Sequence, residues 1–391
     1  MASKRQTRFG KLALLIAALV LLPLGRVSAA SKEKVLHNFK GGKDGFQPLS
    51  PLVADASGNL YGATLQGGGP GCFHGCGTVF ELMPSSEGWT EKILYAFTGG
   101  DDGRAPESNL IFDAAGNLYG TTVNGGKGRN CSVRQGGCGT VFELSPNGEG
   151  TWTESVLYSF HGSPDGAYPS GNLVFDSAGT LYGTTQGSGT GTGNCGISGC
   201  GTVFALTPKS GGGWRETALY NFQGGNDGAE PWGGVIFDPQ GNLYGTTFYG
   251  GGSPYCTLSC GTVFELKRVG GQWKEIVLFG FLGGGNGDTP LGGVVIDTAG
   301  NLYGTLAGGG NDGGAVFEVR HIRGRWKEHM IYNFCSLNNC ADGFGPEAGL
   351  TIDHAGNLYG TTLTGGTGVC PATGGITCGT LFKLALTKSG W

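Results

Sequence analysis

Short apolar runs, each broken by a turn rich in glycine, asparagine or aspartate, recur along the whole chain, and none sustains a 3.6-residue period. Asn109-Leu110-Ile111-Phe112-Asp113 reads as a strand, Ala114 to Asn117 as a turn, and Leu118-Tyr119-Gly120-Thr121-Thr122 as the returning strand of a hairpin. A glycine-rich stretch comes next, and then Gly139 to Leu144 gives a third strand. Beyond the turn Pro146-Asn147-Gly148, the segment from Trp152 to Phe160 supplies a fourth. The strands are apolar on both sides rather than alternating. That pattern suits sheets buried between two neighbouring sheets, as in a β-propeller with four-stranded blades. A sandwich would leave one face of each sheet polar.

This unit is copied six times. Leu-Tyr-Gly begins at Leu60, Leu118, Leu181, Leu243, Leu302 and Leu358, with spacings of 58, 63, 62, 59 and 56 residues. A period of that size marks a repeat architecture, and it is too long for one coil of a β-solenoid. Trp89, Trp152, Trp214, Trp273 and Trp326 each open a fourth strand, and Trp391 opens a sixth just as the sequence stops. The missing strand is found at the other end, where Ser31 to Phe39 matches Trp89 to Phe97. The expected fold is therefore all-β, a six-bladed β-propeller with four strands per blade. The N-terminal strand completes the last blade, which closes the ring and removes its free edges. Residues 31–391 then form a single domain.

Composition changes the picture at the N-terminus. Lys4, Arg5, Arg8 and Lys11 precede an apolar run from Leu12 to Leu24, and Val27-Ser28-Ala29-Ala30 offers small residues for cleavage. This is the layout of a secretory signal peptide over residues 1–30. The apolar run is shorter than the roughly 20 residues a membrane-spanning helix needs. Without those residues the chain holds 20 Lys and Arg against 29 Asp and Glu, a net charge of −9. That balance argues against nucleic acid or an anionic membrane as partner. Glycine makes up 82 of 391 residues but shows no Gly-X-Y period, so a turn-rich folded chain is expected rather than a collagen-like one.

All twelve cysteines lie beyond the cleavage site, in six local pairs: Cys72/Cys76, Cys131/Cys138, Cys195/Cys200, Cys256/Cys260, Cys335/Cys340 and Cys370/Cys378. Close pairing in an exported chain reads as disulfides. No pair has the two-residue gap typical of structural zinc sites, and no metal or cofactor is expected.

Leu-Tyr-Gly-Thr-Thr, Cys-Gly-Thr-Val-Phe-Glu-Leu and the Gly-Gly-x-Asp-Gly segment together resemble the GloVer tandem-repeat family of exported bacterial proteins. The resemblance covers nearly all of residues 31–391. It implies a secreted, periplasmic or surface repeat protein with no established reaction or ligand. Some members look as though they carry C-terminal anchoring segments; this chain shows none, which argues against anchoring.

Strand order puts the Cys-bearing loops and the crossings between blades on one face, the top. Asp44, Asp102, Asp165, Asp227, Asp288 and Asp342 recur in those crossings, each beside a glycine and shortly before a proline. Such a ring invites a calcium reading, but Asp capping its own turn before a Gly explains the pattern. Function is better sought where the six copies differ. Leu49, Glu107, Ser170, Trp232, Leu291 and Glu347 come just after the repeated proline at the mouth of the channel; Gln47, Ala105, Tyr168, Glu230, Thr289 and Gly345 precede it. Trp232 is the only tryptophan outside the repeated register. Either it plugs the channel, or with Glu230 nearby it stacks on a sugar ring.

The expected ligand-binding set is Glu107, Tyr168, Glu230, Trp232 and Glu347. Neither a Gly-x-Ser-x-Gly elbow, a phosphate-binding loop nor His-Glu-x-x-His is present. Glu107, Glu230 or Glu347 would supply a general acid or base if the chain were a polysaccharide hydrolase or lyase. The leading expectation is a monomeric, non-catalytic propeller that binds a glycan or another surface protein through its top face. A polysaccharide-acting enzyme and a structural envelope protein are the alternatives.

Overall fold

The computed structural model describes residues 36–391, apart from 132–135, 194, 196–197, 257–259, 311, 368–378 and 388–391. Six antiparallel blades stand in a ring, and no α-helix occurs among the described residues. The first blade comprises Val53–Ala54, Leu60–Thr64, Thr78–Ser85 and Gly88–Ala96, hydrogen-bonded in that order. The second comprises Ile111–Phe112, Leu118–Asn124, Thr140–Pro146 and Trp152–Ser159, with Arg104–Pro106 pairing back onto the second strand. The sixth shows three strands among the described residues, Thr351–Ile352, Leu358–Thr361 and Leu381–Leu384; of the segment expected to supply its fourth, Ser31–Phe39, residues 31–35 lie outside the described residues. Trp391 lies outside them as well.

The repeated motifs are packing instructions. In Leu-Tyr-Gly, the leucine fills the core and the tyrosine reaches back to the preceding hairpin turn. Asp55 organises that turn: its Oδ1 accepts from the Ser57 and Asn59 amides at 2.8 and 2.9 Å, and its Oδ2 from the Tyr61 hydroxyl at 3.1 Å. The same arrangement recurs at Asp113, Asp176, Asp238, Asp297 and Asp353. The glycine is there because the phenylalanine of the third strand lies over it. A Cβ on Gly120 would sit 2.6 Å from the Phe142 ring.

That phenylalanine also makes the seam with the preceding blade. Edge-on ring pairs join Phe97 to Phe142, Phe160 to Phe204, Phe222 to Phe264 and Phe281 to Phe317, with centroids 5.0–5.2 Å apart. Phe334 meets Phe382 at 4.9 Å. Phe39 meets Phe80 at 5.1 Å, so the N-terminal segment stands at the first blade as every other fourth strand stands at its successor. Six seams close the ring.

In five blades the pairing of third and fourth strands slips by one residue between the valine and the phenylalanine, for example at Val79/Phe80. Such a bulge bends a strand and re-aims the side chains beyond it. Past the bulge, the fourth-strand tyrosine turns toward the crossing and donates to its aspartate: Tyr95 to Asp102 at 3.1 Å, Tyr158 to Asp165 at 2.6 Å and Tyr332 to Asp342 at 2.8 Å. Tyr220 does the same to Asp227. Each aspartate also accepts a backbone amide of its own turn, as Asp102 does from Thr98 at 2.7 Å. These aspartates are turn caps. Asp288 is not among them. Its backbone bridges Gly308 in the register where Ala229 bridges Tyr249, so Asn286 occupies the capping position, and the facing tyrosine is replaced by Phe279.

Candidate functional site

The top face is assembled from the Cys-Gly-Thr segments. Five disulfides form among the described residues, Cys72–Cys76, Cys131–Cys138, Cys195–Cys200, Cys256–Cys260 and Cys335–Cys340, while Cys370 and Cys378 lie outside them. Crossings and disulfides do share a face, since a Cβ on Gly99 would meet both sulfurs of the first pair at 2.6 and 2.7 Å. In the fifth repeat the pair sits in the next crossing instead, with Cys335 against Gly313.

In four repeats the carbonyl of the pair's second cysteine reaches into the next blade. Cys76, Cys138, Cys200 and Cys260 accept from the amides of Ala105, Tyr168, Glu230 and Thr289 at 2.8–3.1 Å, and Gly313 accepts from Gly345 at 2.9 Å. The five residues so held each precede the repeated proline, and with Gln47 all six such positions adopt left-handed backbone, with φ of 54–65°. Five of them are not glycine. Left-handed backbone disfavours side chains, so it persists only where its surroundings impose it. Here the preceding blade imposes it at five of the six positions.

This turn sends alternate side chains in opposite directions. The residues after the proline converge: Leu49, Glu107, Ser170, Trp232, Leu291 and Glu347 line one concavity of about 450 Å³ together with residues 348 and 361–363. All six repeats contribute to it. Those before the proline turn away. Tyr168 is buried in the core, where it packs beside Gly187, and it does not line the concavity. Glu230 is buried too; it does not face the mouth but accepts a 3.4 Å hydrogen bond from Trp232 Nε1. Of the five residues expected to bind ligand, Glu107, Trp232 and Glu347 are therefore brought together, and Glu230 orients one of them.

Below the mouth the blades close in. A Cβ on Gly233 would lie 2.1 Å from the Gly293 amide nitrogen, and Thr305 Oγ1 donates to Ala348 O at 2.8 Å. The concavity thus has a floor of close-packed first-strand backbone. Trp232 is half-buried, its ring tilted 35° to Phe248 at 5.6 Å between centroids. Phe248 is a residue that sequence reasoning missed. It stands where the other copies carry Leu65, Val123, Gln186, Ala307 and Leu363, and being the one aromatic in that column was the available signal. Glu347 is exposed, yet the protein packed around its carboxyl raises its pKa above the ordinary value.

The model of the Gloeobacter/Verrucomicrobia repeat matches residues 26–197 and again residues 190–391. The chain belongs to the Gloeobacter/Verrucomicrobia repeat family. This repeat is the GloVer pattern carried by Leu-Tyr-Gly and Cys-Gly-Thr-Val-Phe, and it runs through all six blades. No curated protein matches the sequence. Among solved structures, the Gloeobacter/Verrucomicrobia repeat protein is similar to a protein from Lactobacillus plantarum, at 13% identity over 88% of this chain and 86% of that one, with a TM-score of 0.51. A gluconolactonase from Xanthomonas campestris aligns at 15% identity over 80% of each chain, with a TM-score of 0.43. An endo-arabinase from Bacteroides thetaiotaomicron aligns at 12% identity over 91% of this chain and all of that one, with a TM-score of 0.38. At 13% identity the likeness to the Lactobacillus plantarum protein speaks to fold alone.

Proposed function

We propose that this protein binds a neutral glycan at the channel mouth, with Trp232 as the stacking platform and Glu107, Ser170 and Glu347 as hydrogen-bonding partners of its hydroxyls. The observation that carries the reading is convergence: the positions at which the six copies differ meet in one concavity, while the repeated residues serve the scaffold. An aromatic face flanked by a few polar groups is the common composition of a small-ligand site. Glu230 supports this by fixing the indole through Nε1. The local disulfides fit an exported protein, as does the signal-like leader; among the described residues no helix is long and apolar enough to cross a membrane.

A second reading rests on Glu347. A carboxyl whose pKa is raised suits a general acid, and Glu107 in the same concavity would serve as its counterpart in glycosidic cleavage. Calorimetry against a panel of neutral oligosaccharides, run beside an assay for released reducing ends, separates the two. Binding that falls at least tenfold in Trp232→Ala without turnover supports the first. Turnover abolished by Glu347→Gln, with binding retained, supports the second. A panel that neither binds nor reacts overturns both.

A further inference from the structure

At three seams a fourth-strand tyrosine faces the crossing of the next blade and a glutamate from that blade's own fourth strand: Tyr95 with Glu154, Tyr158 with Glu216 and Tyr220 with Glu275. At the seam of the N-terminal segment the tyrosine is replaced by His37. A hydroxyl that donates to the crossing aspartate thereby becomes an imidazole. His37 Nε2 lies 3.2 Å from Asp44 Oδ1 and 3.6 Å from Glu91 Oε2, and the donor atoms of the three residues all fall within 4.8 Å of one another.

From these residues we propose a divalent zinc-class metal site formed by His37, Asp44 and Glu91, which pins the N-terminal segment to the first blade. Zinc holds imidazole nitrogen and carboxylate oxygen at about 2.0–2.2 Å in tetrahedral geometry, which sets neighbouring donors roughly 3.3 Å apart. The two nitrogen-to-oxygen separations bracket that edge length. The donors are also ready. His37 Nε2 is buried and meets the two carboxylates without hydrogen-bond geometry, and the Glu91 side chain is 9% exposed with Oε1 making no hydrogen bond. Lys40 N donates to the other carboxylate oxygen of Asp44, Oδ2, which orients Oδ1 toward the imidazole. A glutamate oxygen without a hydrogen bond recurs at Glu154, Glu216, Glu275 and Glu328, so the feature particular to this seam is an imidazole nitrogen set between two carboxylates without hydrogen-bond geometry. One nitrogen and two carboxylates give a three-ligand set with room for water as the fourth, and they are too few oxygens for calcium, which takes six to eight. The sequence hides the site because its members lie 7 and 47 residues apart, outside any local metal motif.

The site makes structural sense at this seam. A metal bridging His37 to Glu91 would cross-link the N-terminal segment to a strand more than fifty residues away. The test is zinc titration of tag-free mature protein against a chromophoric competitor, with thermal melts in zinc, calcium and chelator. One zinc per chain is expected, with a higher melting midpoint in zinc and no response to calcium. His37→Tyr installs the side chain found at Tyr95, Tyr158, Tyr220 and Tyr332 of the other seams. It should fold without metal while binding zinc at least tenfold more weakly and losing the zinc-dependent rise. Glu91→Gln keeps the shape and should lose at least tenfold as well, which guards against a misfolded first variant. Wild-type protein that takes up no zinc, or variants that bind it equally, would overturn the proposal.

Discussion

The segment Cys-Gly-Thr-Val-Phe-Glu-Leu shows how much of this molecule is written one residue at a time. Its cysteine fixes a loop and lends a carbonyl to the next blade. Its threonine bonds the threonine of the second strand, as Thr78 does Thr64 at 2.8 Å, and its phenylalanine makes the seam. Its glycine makes way for a proline. A Cβ on Gly201 would lie 2.7 Å from Pro231 Cδ and 2.2 Å from Thr185 O, at a φ of 80°. Gly201→Ala should therefore destabilise the protein, on the order of 3 kcal/mol, and urea denaturation should show a midpoint shift far above that of Gly211→Ala, where nothing lies within 4 Å. The direction taken by Tyr168 and Glu230 was not legible in the sequence, because residue identity does not display the sign of φ at non-glycine positions. One trace existed. Gly345 stands in the same column as Tyr168 and Glu230, and a glycine there is the residue that left-handed backbone prefers.

At the scale of elements, the fourth strands carry a row of carboxyls that burial keeps protonated. Burial raises Glu154 and Glu328 to about 7, and Glu216 and Glu275 to about 8; nearby Asp102, Asp165 and Asp227 push three of them further the same way. Unfolded glutamates release their protons near 4.5. The folded chain therefore binds more protons than the unfolded chain between about pH 4.5 and 8, and stability present at pH 4.5 is lost as pH rises through that window. Glu275→Gln should be near neutral at pH 4.5 and increasingly stabilising as pH rises to 8, seen as a pH-dependent gap between melting curves. A constant gap would show that Glu275 is not protonated in the fold. The crossings themselves were readable as turns, but Asp288 lies two residues past the capping position, which Asn286 holds. Its Asn-Gly-Asp order reverses the usual Asp-Gly, and the companion change of tyrosine to Phe279 was the signal that the capping pair is absent from that seam.

For the whole molecule, the period and the mismatch between chain ends were enough to read six blades, since neither depends on backbone detail. Closure depends on Phe39, which is half-buried where the interior seam residue Phe160 is fully buried. Phe160→Ala should cost about 4 kcal/mol and Phe39→Ala roughly half as much, yet both should lower one cooperative transition. Removing Ser31 to Phe39 should lower it further; unchanged melting would refute closure through this segment. The mouth, by contrast, owes its geometry mainly to backbone: each of its six positions follows a proline and a left-handed residue, and at five of them that residue is held by a carbonyl from the adjoining blade. Leu49, Glu107, Ser170, Trp232, Leu291 and Glu347 already place apolar, acidic, hydroxyl and aromatic side chains on one frame. The ring is in effect a six-letter display whose letters can be rewritten independently of the support. A library randomised at these positions should retain folded protein in most members while its ligand preferences diverge, which makes the fold a ready scaffold for selecting binders.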